Sequence, residues 1–288
     1  MFAALSRLTR SAAPKATPPA NSLLLTQVVD TVGGGIGQAR DFEKLLLPAI
    51  DSAIDYFAGQ IDAIPGPLDI SHRGFAQNAA SVALFPETGE IIRALGRSLE
   101  VKDSLPRLAS HNGDQVHALL GVRRRASGAA NGEGFADHTI RSLAPSLADA
   151  RDYLACAAFK RILNDFTEHV NKLRRRDHLL KVEWNIQNEV SDKAGAADNR
   201  EYISASELTP DKLLQGLIGW LATPEKYLRL EASGVFLPAG AAPREAHELP
   251  LLHCSDRRQW LVCLVHFPVA EGLRALEEET HHHRHIFI

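Results

Sequence analysis

The residues best equipped for chemistry lie near the end of the sequence, where Glu277, Glu278 and Glu279 run into His281, His282, His283 and His285. On a helix, Glu278 and His281 are three apart, as are Glu279 and His282, so each pair shares a face. One turn then presents an oxygen and a nitrogen ligand together, which is the unit from which helical di-iron sites are built. The candidate metal ligands are therefore Glu278, Glu279, His281, His282, His283 and His285. A transition metal is the cofactor such a cluster would take, since imidazoles suit zinc, copper and nickel. A full site also needs a second Glu-x-x-His and two more carboxylates. The nearest approximations, Asp114 with His117 and Asp165 with His169, lack the motif. The plainer expectation is a solvated helix end whose histidines complement the helix dipole.

Two arginine triplets are the candidate anion-binding residues: Arg123, Arg124 and Arg125, and Arg174, Arg175 and Arg176. Converging in space, they would hold a phosphate or a nucleic-acid backbone, because the guanidinium fork makes paired hydrogen bonds to phosphate. No interleaved aromatics and no helix-turn-helix or RNA-binding signature accompany them, which argues against nucleic acid as partner. A charge run on a helix is more simply its solvated face.

Gly33-Gly34-Gly35-Ile36-Gly37 follows LLLTQVVDTV and precedes a helical pattern, an order that resembles a dinucleotide-binding turn. The fingerprint fails, because Gln38 or Arg40 stands where its third glycine is required. No Gly-Lys-Ser/Thr follows either, so a flexible hinge is expected. Nucleophilic catalysis finds no Gly-x-Ser-x-Gly frame. Asp137-His138 and Asp177-His178 are adjacent pairs, whose side chains diverge on regular elements. Trp184, Trp220 and Trp260 are expected to anchor a core or an interface. No catalytic residue is identified.

Composition sets the frame for these candidates. The chain has 288 residues, 45% apolar and 23% charged, enough apolar surface for a substantial core. A formal charge of -3 favours neither a nucleic-acid binder nor an acidic solvating protein. Three cysteines, Cys156, Cys254 and Cys263, form no CxxC pair and suit reduced thiols in an intracellular, cytoplasmic setting. No apolar run approaches the ~18 residues of a membrane helix. Residues 1–29 carry Arg7, Arg10 and Lys15 and resemble a mitochondrial presequence, although a mobile tail is the preferred reading.

The elements that must position the candidates follow from periodicity. Phe42, Leu46, Ile50, Ile54, Phe57, Ile61 and Ile64 recur at helical spacing, with Pro48 inside the run and IPGP ending it. Segments 75–85, 87–99, 101–108 and 115–122 read as short helices, 126–134 as a loop, and 135–143 as a strand or an irregular link. Ser146 with Asp149 opens a long helix over 147–190, either continuous or two helices joined near Asp177. Thr209-Pro210 opens another helix. YLRLE, GVFLP, LPLLHC and QWLVCLVHF then read as strands, and 268–280 as a helix.

The sequence therefore predicts a mainly α protein: a mobile tail over 1–37, a helical bundle over 38–195, and a smaller α+β region over 196–288 with a short antiparallel sheet. The expected function is non-catalytic, protein-binding or regulatory, acting through a protein partner or self-association. The alternatives are metal binding by the Glu/His cluster and phosphate or nucleic-acid binding by the arginine triplets.

Overall fold

The computed structural model describes residues 20–110, 113–124, 134–194, 209–237, 247–254 and 259–284. Their helices are α1 (Ala20–Val32), α2 (Phe42–Asp62), α3 (His72–Gln77), α4 (Ala79–Leu84), α5 (Thr88–Arg97), α6 (Leu99–Ala109), α7 (Leu147–Ala194), α8 (Pro210–Leu221) and α9 (Val269–Arg284). The strands are β1 (Leu68–Asp69), β2 (Gln115–Arg124), β3 (Phe135–Ala144), β4 (Leu228–Glu231), β5 (Phe236–Leu237), β6 (His247–Glu248), β7 (Leu251–Cys254) and β8 (Gln259–Pro268). The chain is mainly helical, with one large sheet. No described helix is long and apolar enough to cross a membrane.

The described residues form two units, each assembled from segments far apart in the sequence. The first draws on Ile54–Ala158 and Glu225–Ile288, the second on Phe2–Ala53 and Phe159–Pro224.

The first unit is organised on a sheet of order β3-β2-β8-β7-β4, antiparallel throughout, with β1 added to β8 in parallel. β2 and β8 share eight consecutive pairs, from Gln115↔Pro268 to Val122↔Leu261. One face carries Val116, Ala118, Leu120 and Val122 of β2 with Leu261, Cys263, Val265 and Phe267 of β8. These pack with Ile91 and Leu95 of α5, Val101 and Leu105 of α6, and Ala275 of α9 in one apolar core. On the other face Leu119, Val262 and Leu264 are also buried.

This sheet corrects the expected layout. Segment 115–122 is a strand, not a helix, and 135–144 is its hairpin partner. The two long strands β2 and β3 thus come from the stretch assigned to a helical bundle. VHALLGV is apolar at both parities because β2 is covered on both faces, and periodicity alone does not separate such a strand from a buried helix.

In the second unit, α1 overturns the expectation of a tail reaching residue 37. Leu24, Val28 and Val32 recur at steps of four and are buried, and so is Ile36 just beyond. Gly33, at φ 112°, ends the helix in the left-handed conformation that suits glycine, its amide bonded to the Val29 carbonyl. Arg40 N–H donates to Asp211 Oδ1 of α8 at 2.8 Å, and the Phe166 and Trp220 rings meet edge to face at 5.4 Å. The capping expectations hold: Asp149 N–H donates to Ser146 Oγ, and Lys212 N–H to Thr209 Oγ1. α7 runs unbroken through Asp177, the continuous form of the two alternatives.

Within the first unit, α5 and α9 approach closely at Gly96. A β-carbon there would stand 2.6 Å from the Ala275 carbonyl oxygen and 3.0 Å from Glu279 Cβ, so the helix backbones require glycine. Gly96→Ala is expected to destabilise the protein by about 1–3 kcal/mol through this overlap. That loss outweighs the ~1 kcal/mol that alanine contributes to helix propensity. Urea unfolding measures it, and a variant as stable as the parent would refute the close approach.

Candidate functional site

At one end of the sheet the tips of β2, β3, β7 and β8 and the turn after β4 enclose a cleft of about 920 Å³. Val122, Val235, Leu251 and Leu261 give it apolar walls, and Arg123, Arg124, Asp137, Ser233 and Gln259 supply polar groups. Trp260 stands at its side. The volume lies in the usual range for ligand sites, and the exposed lining is more polar than apolar.

Each wall has a local cause. Register between β2 and β3 slips between Gly121 and Arg123, and Asp137 in that slip has φ 54°. Such a bulge re-aims side chains, and here Asp137 Oδ2 accepts from Arg123 Nη1 at 3.3 Å. Both side chains are about 60% exposed (60% and 61%), so this pair contributes little to stability. The next residue, His138, is turned inward: its Nε2 lies 2.8 Å from the Leu84 carbonyl and its ring stacks on Phe85. Opposite, the turn at 232–235 is pinned from several sides. Gly234 N–H donates to Glu248 Oε1 at 2.8 Å, Val235 N–H to Ser233 Oγ at 3.0 Å, and Ser233 Oγ to the Leu249 carbonyl.

Trp260 lies across Gly121 of the neighbouring strand. A β-carbon on Gly121 would sit 3.5 Å from the indole ring and 2.9 Å from Thr139 Oγ1. The bare glycine therefore lets the indole lie close over β2 beside Arg123.

The sequence candidates are distributed as follows. Arg123 and Arg124 line the cleft, while Arg125 lies outside the described residues. Arg174, Arg175 and Arg176 are exposed on α7, in the other unit. Glu278 lies 3.4 Å from Arg274 one turn earlier, and Glu279 is buried with its Oε1 3.4 Å from Arg97 Nε. Both glutamates of the expected metal cluster are thus engaged by arginines. Helix α9 extends through His281, His282 and His283, whose side chains are outside the described set, as is all of His285. Asp165 pairs with Arg161 at 3.0 Å, and His169 packs on Trp220. Among the described residues no three His, Cys, Asp or Glu side chains converge as metal ligands.

Sequence reasoning missed Trp260, Asp137 and the 232–235 turn as parts of one site. Trp260 was legible only as an anchor, and the Asp137 bulge has no signal in residue spacing.

Among the described side chains, the thiols of Cys156 and Cys263 do not add a nucleophile. Burial pushes Cys263 up to about 12, and burial followed by the Asp152 charge pushes Cys156 up to about 11. Both stay protonated near neutral pH, and thiolate is the reactive form. Iodoacetamide at about pH 8, below both raised values, should leave Cys156 and Cys263 unmodified until the protein unfolds. Peptide mapping that finds either one alkylated in the native protein would contradict their burial.

Gly121→Val is expected to displace Trp260 and shift its fluorescence, with a loss of about 1–3 kcal/mol from overpacking. Unaltered emission, read with Trp184 and Trp220 replaced by Phe, would show that the indole does not rest on Gly121. No protein-family model, no curated protein and no solved structure matches this chain.

Proposed function

We propose that this chain is a non-catalytic recognition protein whose cleft receives an acidic, apolar-anchored segment of a partner protein. The observation that carries the reading is the joining of Arg123, Arg124 and Trp260 around one cleft at the end of the sheet. Arg and Trp are the residue types enriched where binding energy concentrates at protein interfaces. Half-buried Trp260 and Leu251 offer apolar area to the anchor, and the guanidinium groups offer paired hydrogen bonds to its carboxylates. The sites on strand tips and a pinned turn keep their geometry before the partner arrives, which lowers the ordering cost of association. The Arg123–Asp137 pair holds one guanidinium at the mouth of the cleft.

Phage selection of random peptides on the immobilised full chain tests this. Acidic sequences with one or two large apolar residues are expected, binding less well as salt is raised. Reversing Arg124 to Glu, or replacing Trp260 with Ala, should weaken the selected peptides at least about tenfold, the effect of removing one central contact. Enrichment of neutral or basic peptides, or binding indifferent to both substitutions, would sink the reading.

A further inference from the structure

A second cluster of chemistry lies at the opposite end of the same two strands. His117 of β2 and His266 of β8 are directly paired across the ladder, and both project from the sheet face that carries Trp260 and Gly121. Their ring centroids are 5.8 Å apart. Each imidazole has its Nδ1 atom sealed from solvent with no hydrogen-bond partner. From His117 to Arg123 is six residues of strand, or about 20 Å, so this pair is separate from the cleft.

Two unpartnered buried nitrogens, side by side, are an unusual arrangement. A buried polar atom without a partner costs stability, and such atoms in folded proteins are normally satisfied by a side chain, a water or an ion. The two rings do not satisfy each other, since no hydrogen bond joins them. Asp69 of β1 stands beside His266 in register, but its Oδ1 already accepts from Ser71 N–H at 2.8 Å. Ala144 is the neighbour of His117 on β3. Both histidines are half-buried, which leaves a path to the pair from solvent.

We propose that His117 and His266 together bind a transition-metal ion of the zinc–copper class. Such ions prefer imidazole nitrogen, and they bind its neutral form. The register of β2 and β8 does the work of bringing two nitrogens from opposite halves of the chain to one place. With two protein ligands, the remaining coordination positions fall to solvent or to an incoming group, as in sites that exchange their occupant.

The test uses the full chain with His281, His282, His283 and His285 replaced by Ala, so that tail imidazoles supply no metal. The protein is dialysed against zinc chloride, or against copper(I) under reductant, and the retained metal is counted by mass spectrometry. One equivalent of at least one ion is expected, with a raised melting temperature. His117→Phe and His266→Phe should each abolish retention. Phenylalanine fills the same space and removes the unpartnered nitrogen, so both variants should fold, which circular dichroism verifies. Retention of neither ion by the tail-substituted chain would overturn the proposal. So would undiminished retention by either folded Phe variant, or loss of folding in His117→Gln and His266→Gln as well as in both Phe variants.

Discussion

The β2–β8 ladder is the constraint on which the first unit depends. It joins residues 115–122 to 261–268 in eight uninterrupted pairs, and every other strand of the large sheet is attached to it or to a neighbour of it. Forming it closes a loop of well over a hundred residues, an entropic cost that local contacts do not repay. What offsets that cost is burial on both faces of both strands. Val265, Leu264 and Phe267 are wholly buried although they alternate in direction. Once the ladder exists, β3 folds back on β2, β7 on β8, and α9 leaves β8 directly to meet α5 at Gly96.

That same ladder explains what was legible in the sequence. Where a helix carries its own start signal and one apolar face, the residues announce it. Ser146 and Asp149 cap α7, Thr209 and Pro210 open α8, and the Phe42 to Ile61 series marks α2 through Pro48. β7 and β8 were legible because short apolar runs stood between turn residues. β2 was not, because a strand covered on both faces loses its alternation and resembles a buried helix. α1 was missed for a different reason. Its Leu24, Val28 and Val32 stripe is regular, but the glycine run after it and the basic, proline-rich stretch before it suggested a tail. Gly33 to Gly37 end a helix and lead into a short 3-10 turn, where a hinge was expected.

The candidate site was legible only in fragments. Arg123 and Arg124 stood out as part of a triplet, but the triplet is not the physical unit. The unit includes Asp137, which an adjacent-pair argument set aside because neighbours on a regular strand point oppositely. The argument is sound for regular strands, and β3 is not regular there: the bulge at positive φ sends Asp137 to Arg123 and His138 to Leu84. His117 shows the same limit over a longer range. Its near neighbour in sequence, Asp114, uses its backbone carbonyl to receive Val269 N–H. The residue that completes its environment is His266, which only the ladder supplies.

The two ends of the ladder also differ in how they hold charge, and this bears on what each can recognise. At the arginine end, charges are solvated and paired across an exposed 3.3 Å contact, so they exchange partners at little cost. Under the proposed function, an incoming carboxylate would replace Asp137 on Arg123 without rebuilding the guanidinium's orientation, because the bulge and the strand tip fix both backbones. At the histidine end, the two Nδ1 atoms are buried without a hydrogen-bond partner, so a partner that reaches them gains more than it would at the surface. An acidic segment suits the first environment and is poorly matched to the second. An ion that binds imidazole lone pairs suits the second and gains nothing from guanidinium groups. One pair of strands thus presents two chemically exclusive environments, and the register that builds one of them fixes the other.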